Sequence, residues 1–221
     1  MSRLLRGAAL AALTLGAPTL AAVSVAGAAS AQAYNRLVVF GDSLSDNGNL
    51  YLATGGSNPA SPPYGAGRFS NGPVFTERLG FTAANFMGPV TGSINYAFGG
   101  ARTDSQTAPL GMRLQLAQYQ QRGGTFGAND LVSVLGGANN IFQGLPAAGA
   151  SSNPTGVIAP VAQGAAADVN FIVNGIAQAG AGTVLVTNLP KLSLTPQFRG
   201  TPAAPLADYA VTTFNGALLT G

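Results

Sequence analysis

Ser43 stands where a hydroxyl could do chemistry: the run Leu37-Val-Val-Phe-Gly-Asp-Ser-Leu-Ser-Asp-Asn-Gly-Asn49 places it directly after a short apolar strand. A serine hydroxyl becomes a good nucleophile only when a neighbouring base takes its proton, and near neutral pH that base is usually histidine. The chain contains no histidine. Asp42 and Asp46 lie close by, but as fully ionised carboxylates they would be weak bases. These residues therefore supply half of a hydrolytic site.

Two later stretches offer the groups such a site needs to stabilise charge. Asn95-Tyr-Ala-Phe-Gly-Gly-Ala-Arg-Thr103 supplies Gly100, whose N–H is unobstructed by a side chain and could donate to a developing oxyanion. Leu135-Gly-Gly-Ala-Asn-Asn140 supplies Asn139, whose amide is a second type of oxyanion donor. Each has a plainer reading when taken alone: Ser43 as a helix cap, Gly100 as a tight turn, Asn139 as an N-cap. Gly127-Ala-Asn-Asp130 has the same look as the Asn139 stretch, but it precedes its strand and belongs at the wrong end of a sheet. The Ser43 run lacks the second glycine of a Gly-x-Ser-x-Gly elbow, so an α/β-hydrolase is not indicated. Asp42, Asp46 and Asn47 read as turn and cap residues that hold the Ser43 loop. Arg102 could meet an anionic headgroup, although a solvated or ion-paired surface residue is the plainer reading.

The elements that must position these groups alternate. Arg36 to Phe40, Ile94 to Phe98, Leu131 to Leu135 and Thr183 to Thr187 read as buried strands. Helices are expected around Val74 to Leu79, Leu110 to Arg122, Val157 to Ala179 and Pro205 to Leu219. Ser57 to Gly67 and Pro146 to Pro154 read as irregular loops. Strands alternating with helices imply an α/β fold with a parallel sheet covered on both faces. Such sheets bind ligands at the carboxyl ends of their strands, where Ser43, Gly100 and Asn139 fall. Gly41 is expected to let the backbone turn sharply, with Ser43 near the start of the following helix.

Composition narrows the function classes. Arg3 and Arg6 precede an uncharged stretch from Gly7 to Ala29, followed by the small-x-small pattern Ala31-Gln32-Ala33. The stretch is long enough to span a bilayer, but Ala, Gly, Ser and Thr around Pro18 give it weak hydrophobic drive, so residues 1–33 read as a cleaved signal peptide. Ten Lys and Arg against seven Asp and Glu become eight against seven once Arg3 and Arg6 leave. No basic patch points to nucleic acid. Without cysteine or histidine there are no disulfides and no thiolate or imidazole metal ligands, and no cofactor is implied. Residues 34–221 are expected to form one domain with one core.

Taken in order, Val38 to Asn49, Gly67-Arg-Phe-Ser-Asn-Gly-Pro73, Asn95 to Ala101, Gly137-Ala-Asn139 and Asn188-Leu-Pro190 resemble the GDSL, or SGNH, family of serine hydrolases. The resemblance implies a three-layer α/β/α, flavodoxin-like parallel sheet acting on small-molecule or lipid esters. It also implies that Ser43 is the nucleophile and that the Ser43 N–H, the Gly100 N–H and the Asn139 amide form the oxyanion hole. There are two departures. Asn140 stands where the family usually has Asp, which keeps an acceptor oxygen but drops the charge. The family's Asp-x-x-His block is absent; Asp208-Tyr-Ala-Val211 has its spacing without the imidazole, in an expected helix, and Asp208 reads as surface charge. The resemblance thus implies a chain cut short before that block, and in autotransporter relatives also before a barrel that would display it on an outer membrane. The alternative is a non-catalytic binding or structural module that keeps the SGNH fold.

Overall fold

A computed structural model describes residues 33–221; of the expected signal peptide, residues 1–32 lie outside the described residues. Four parallel strands, β1 (Arg36–Gly41), β2 (Ile94–Asn95), β3 (Asp130–Leu135) and β4 (Thr183–Val186), form one sheet in the order β2-β1-β3-β4. β1 and β3 are central and pair along their whole length, from Arg36 opposite Asp130 to Gly41 opposite Leu135. They are apolar runs because both faces are buried. Val38, Phe40, Val132 and Val134 enter the larger core, while Leu37, Val39 and Leu131 meet a smaller cluster closed by Tyr34, Leu79 and Phe81. After β1 the chain moves to one side of it for β2 and then to the other for β3. That reversal opens a crevice at the carboxyl ends of β1 and β3.

Among the described residues there are five α-helices: α1 (Asn49–Ala53), α2 (Met112–Gln121), α3 (Ala138–Gly149), α4 (Pro154–Gln178) and α5 (Ala204–Thr220). α4 starts where Asn153 accepts a hydrogen bond from Gly156 N at 3.1 Å and Pro154 occupies the first turn. It is long and apolar enough to cross a membrane, yet its Ile158, Ala162, Val169, Ile172 and Ile176 stripe is buried in the core with α3 and α5.

Several expectations are corrected. Pro146 to Pro154 is not one loop: Pro146 lies inside α3, three residues before the helix ends, and α4 begins at Pro154. A proline there forfeits one internal N–H, but its own carbonyl still accepts from Ala150 N at 3.2 Å. Val74 to Leu79 is only a 3-10 turn, Phe75–Arg78, and β2 stops at Asn95. Beyond Asn95 the chain still follows β1, with Tyr96 N on Val39 O at 2.8 Å and Phe98 N on Gly41 O at 3.1 Å.

Candidate active site

Ser43 lies in a turn six residues ahead of α1, whose N-cap is Gly48, so it is not a helix cap. The turn closes where Ser45 N and Asp46 N both donate to Asp42 O at 3.0 Å. Asp42 is 1% exposed, and its carboxylate accepts from Leu44 N at 3.0 Å. Burial pushes its pKa up to about 6, so Asp42 departs from the expected ordinary ionisation. Facing inward, with Leu44 N on its carboxylate, it holds the backbone of the turn. Ser43 itself is half-buried and Leu44 is exposed at the rim.

Gly41 does not turn sharply as expected; it is the last residue of β1, and what it provides is a close approach. A Cβ there would lie 2.6 Å from Leu135 O. Its peptide is gripped by Gln115 of α2, fully buried, whose Oε1 accepts from Gly41 N and whose Nε2 donates to Gly41 O, both at 2.9 Å, and to Leu110 O at 2.8 Å. Gln115 was invisible in the sequence because a polar residue on a helix is ordinarily assigned to the solvent side.

Asp46 carries the tie from the Ser43 turn to the Gly100 loop. One carboxylate oxygen accepts from Gly48 N and Asn49 N at 2.8 and 2.6 Å; the other accepts from Leu50 N at 3.2 Å and Gly99 N at 2.8 Å. Burial pushes its carboxyl pKa up, and the backbone donors pull it partly back. Asn49 and Asn95, both buried, complete the frame: Asn49 Nδ2 donates to Asn95 O and Ala97 O at 2.8 Å, and Asn95 Nδ2 donates to Ser45 O at 2.7 Å. The Asp42 and Asp46 roles expected from the sequence are thus present, while Asn47 instead reaches away to Ala83 O at 3.0 Å.

Gly100 sits at φ +77°, a region L side chains rarely adopt, and a Cβ would meet Pro109 Cγ at 3.1 Å. Asn139 is the second residue of α3, whose N-cap is Gly137, and its Nδ2 donates to Ala101 O at 2.8 Å. One amide hydrogen is therefore spent on orienting the side chain beside the Gly100 loop and the other remains available. Asn140 Oδ1 accepts from Thr103 N at 3.0 Å, so the uncharged residue keeps its structural bond. Thr103 Oγ1 in turn donates to Asp168 at 3.0 Å, and Asp168 pairs with Arg113 at 2.8 Å. Arg102 is ion-paired with Asp104 and donates to Gln143 at 3.1 Å, matching its plainer reading.

Ser43, Gly100 and Asn139 thus follow β1, β2 and β3 respectively, and their loops are tied together where Gly99 N donates to Asp46 of the Ser43 turn and, two residues further along the same backbone, Ala101 O accepts from Asn139. Beside Gly100 opens a cavity of about 590 Å3, bordered by Leu50, Phe69, Phe98 and Pro109; Ser43 and Asn139 are not among its lining residues. Asp208 lies in α5, where its carboxylate accepts from Ser193 N at 2.9 Å and Ser193 Oγ at 2.7 Å, holding its pKa low. It is a loop anchor rather than a free surface charge.

A family model described as GDSL-like Lipase/Acylhydrolase matches residues 37–219. The chain belongs to that family. It is 33% identical over 207 residues to a phosphatidylcholine-sterol acyltransferase of Aeromonas hydrophila, covering 90% of this chain and 58% of the relative. It is 31% identical over 243 residues to the esterase EstA of Pseudomonas aeruginosa, covering 90% of this chain and 35% of EstA. To the secreted effector protein SseJ of Salmonella typhimurium it is 34% identical over 164 residues, covering 73% and 36%. The chain thus spans between about a third and three fifths of these relatives. Its four-stranded parallel sheet flanked by helices is the α/β architecture expected of the family.

Proposed function

We propose that this GDSL-like chain carries the nucleophile and oxyanion half of an exported ester hydrolase. Ser43 Oγ attacks the ester carbonyl carbon while its proton passes to a base. The Ser43 N–H, Gly100 N–H and Asn139 Nδ2 take up the negative charge on the carbonyl oxygen. The alcohol departs with a proton, and water then releases the acid from the acyl-Ser43 ester. The observation that carries this reading is the hydrogen-bonded tie from the Ser43 turn through Asp46 and Gly99 to Asn139. None of the 221 residues is histidine, so the imidazole that usually takes the serine proton is supplied from outside in the test below. Small-molecule or lipid esters are the proposed substrates. Export follows the signal-peptide reading of residues 1–33, with the mature domain at 34–221 beginning at Tyr34; intact mass of exported material checks it, and a membrane-held species retaining Met1 refutes it.

The test of the reaction is hydrolysis of p-nitrophenyl butyrate with and without added imidazole. Alone, the chain should be close to inactive, with only the residual acceleration that an oxyanion hole and binding give, on the order of 10³–10⁴-fold over water in well-studied serine proteases. Imidazole should raise turnover above its own background, and Ser43→Ala should remove that increment. An increment that survives Ser43→Ala contradicts the assignment.

A further inference from the structure

The backbone that carries Gly100 is fastened to α3 at two points, Ala101 O to Asn139 and Thr103 N to Asn140. A third fastening comes from much further along the chain. Thr103 is fully buried, and its Oγ1 donates to Asp168 Oδ2 at 3.0 Å. Asp168 lies in the middle of α4, where Ala165, Ala166, Val169 and Ile172 on either side of it are buried, so a fixed part of the core presents the carboxylate. Its other oxygen faces Arg113 Nε of α2 at 2.8 Å, and the Arg113 guanidinium lies over the Phe171 ring, 4.0 Å from its centroid. The start of α2 closes the remaining side, with Met112 N on Arg102 O at 2.8 Å and Arg113 N on Thr103 O at 3.3 Å. Thr103 is thus held by its N–H from α3, by its carbonyl from α2 and by its hydroxyl from α4. Burying a hydroxyl is costly unless it is bonded, and a carboxylate is the stronger kind of acceptor. An ion pair as open as Arg113 and Asp168 would by itself contribute little.

We infer that Asp168 is a positioning residue for the oxyanion donors: through Thr103 it holds the stretch from Gly100 to Thr103 against α3 and so sets where the Gly100 N–H points relative to the Asn139 amide. The words oxyanion donors rest on the hydrolase reading above, whereas the brace itself is a set of hydrogen bonds. Among the described residues Asp168 makes no hydrogen bond to the Ser43 turn, so its loss leaves the nucleophile in place and misaligns only the donors. Such donors act on charge that develops in the transition state, which puts the loss in kcat rather than KM. A donor misplaced by a fraction of an ångström costs less than a donor removed, about tenfold to a hundredfold.

The test uses Asp168→Ala, Thr103→Val, Thr103→Ser and Arg113→Gln in the full chain, with two readouts. In amide NMR spectra, which need no turnover, the Gly100 N–H and Asn139 Nδ2 resonances should move in Asp168→Ala and Thr103→Val alike. They should return to the parental positions in Thr103→Ser, which keeps the hydroxyl, and the Leu44 N–H of the Ser43 turn should stay put throughout. In imidazole-supported hydrolysis of p-nitrophenyl butyrate, Asp168→Ala and Thr103→Val should each lower kcat about tenfold to a hundredfold with KM within about twofold. The double variant should be no slower than the slower single one, because both changes remove one contact. Thr103→Ser and Arg113→Gln should lie within about threefold of the parent. Resonances unmoved by Thr103→Val overturn the brace, as does a loss that Thr103→Ser does not restore or that merely tracks the unfolded fraction measured in urea. An equal loss in Arg113→Gln overturns it too, by assigning the effect to the ion pair. Resonances that move as expected in a chain that imidazole fails to activate keep the brace and remove the hydrolase reading instead.

Discussion

The tripeptide Gly-Ala-Asn occurs twice around β3, as Gly127-Ala128-Asn129 before it and Gly137-Ala138-Asn139 after it, and the two copies do unrelated work. The first builds the amino end of the sheet. Gly127 O accepts from Asp130 N at 3.0 Å and from Gly182 N at 3.2 Å, Asn129 O accepts from Asn35 N at 2.8 Å, and Gly127 N donates to the Asp130 carboxylate at 2.8 Å. That carboxylate is paired with Arg36 at 2.7 Å, locking β1 to β3. The second copy lies at the carboxyl end, where the strand order reverses, opens α3 and turns an amide toward the Gly100 loop. Identical residues acquire different roles because parallel strands bring every following loop, and none of the preceding ones, to the same crevice.

The comparison breaks most visibly at its amino end. Asp130→Ala leaves Arg36 largely buried without its partner and should cost about 3–5 kcal/mol of stability. Equilibrium urea unfolding measures it, and a loss under about 1 kcal/mol would mean that the pair is solvated.

At the carboxyl end the expected loss is kinetic. Asn139→Ala should lower imidazole-supported ester turnover by roughly 10²–10³-fold, about 2.7–4 kcal/mol of transition-state stabilisation. Asn129→Ala, the same change in the other copy, should leave turnover unaltered; equal losses in both would show that the effect is general destabilisation.

A third difference is in pH response. The Asp42 carboxyl is pushed up to about 6 from an ordinary 3.8, so the folded state binds its proton more tightly than the unfolded chain does. The stability this contributes is complete below pH about 4 and is lost as pH rises through about 6, on the order of 2–3 kcal/mol. Unfolding free energy measured at pH 4.5, 5.5 and 7 should fall more steeply in the parent than in Asp42→Asn, whose amide oxygen can still accept from Leu44 N. Parallel curves would remove Asp42 from the pH response. The smallest effect belongs to Asn140→Ala, which strands Thr103 N and should cost about 1 kcal/mol in the same unfolding assay.

What the sequence made legible was what period and motif encode. β1 and β3 are largely apolar runs, and Ser43, Gly100 and Asn139 each come after a strand in family order, so strand placement could be read and the candidate site expected at the carboxyl end of the sheet. The amino-end copy was set aside for a physical reason, its position before β3, and it does lie at the opposite end. Three things were hidden. The end of α3 was missed because Pro146 to Pro154 reads as an irregular loop, although a proline near a helix end forfeits only one bond. Gln115 was missed because its partners, Gly41 and Leu110, are backbone groups with no sequence signature. The departure of Asp42 from ordinary ionisation was missed because it depends on burial, which only the folded turn reveals.

The most direct measurement is peptide mapping of the chain after reaction with an alkyl fluorophosphonate in imidazole buffer, run in parallel on Asn139→Ala and Asn129→Ala. A single adduct on Ser43, formed at the parental rate in Asn129→Ala and at least a hundredfold more slowly in Asn139→Ala, is the expected result. An adduct on any other residue, or equal rates in the two asparagine variants, would contradict a site built from Ser43, Gly100 and Asn139 at the carboxyl end of the sheet.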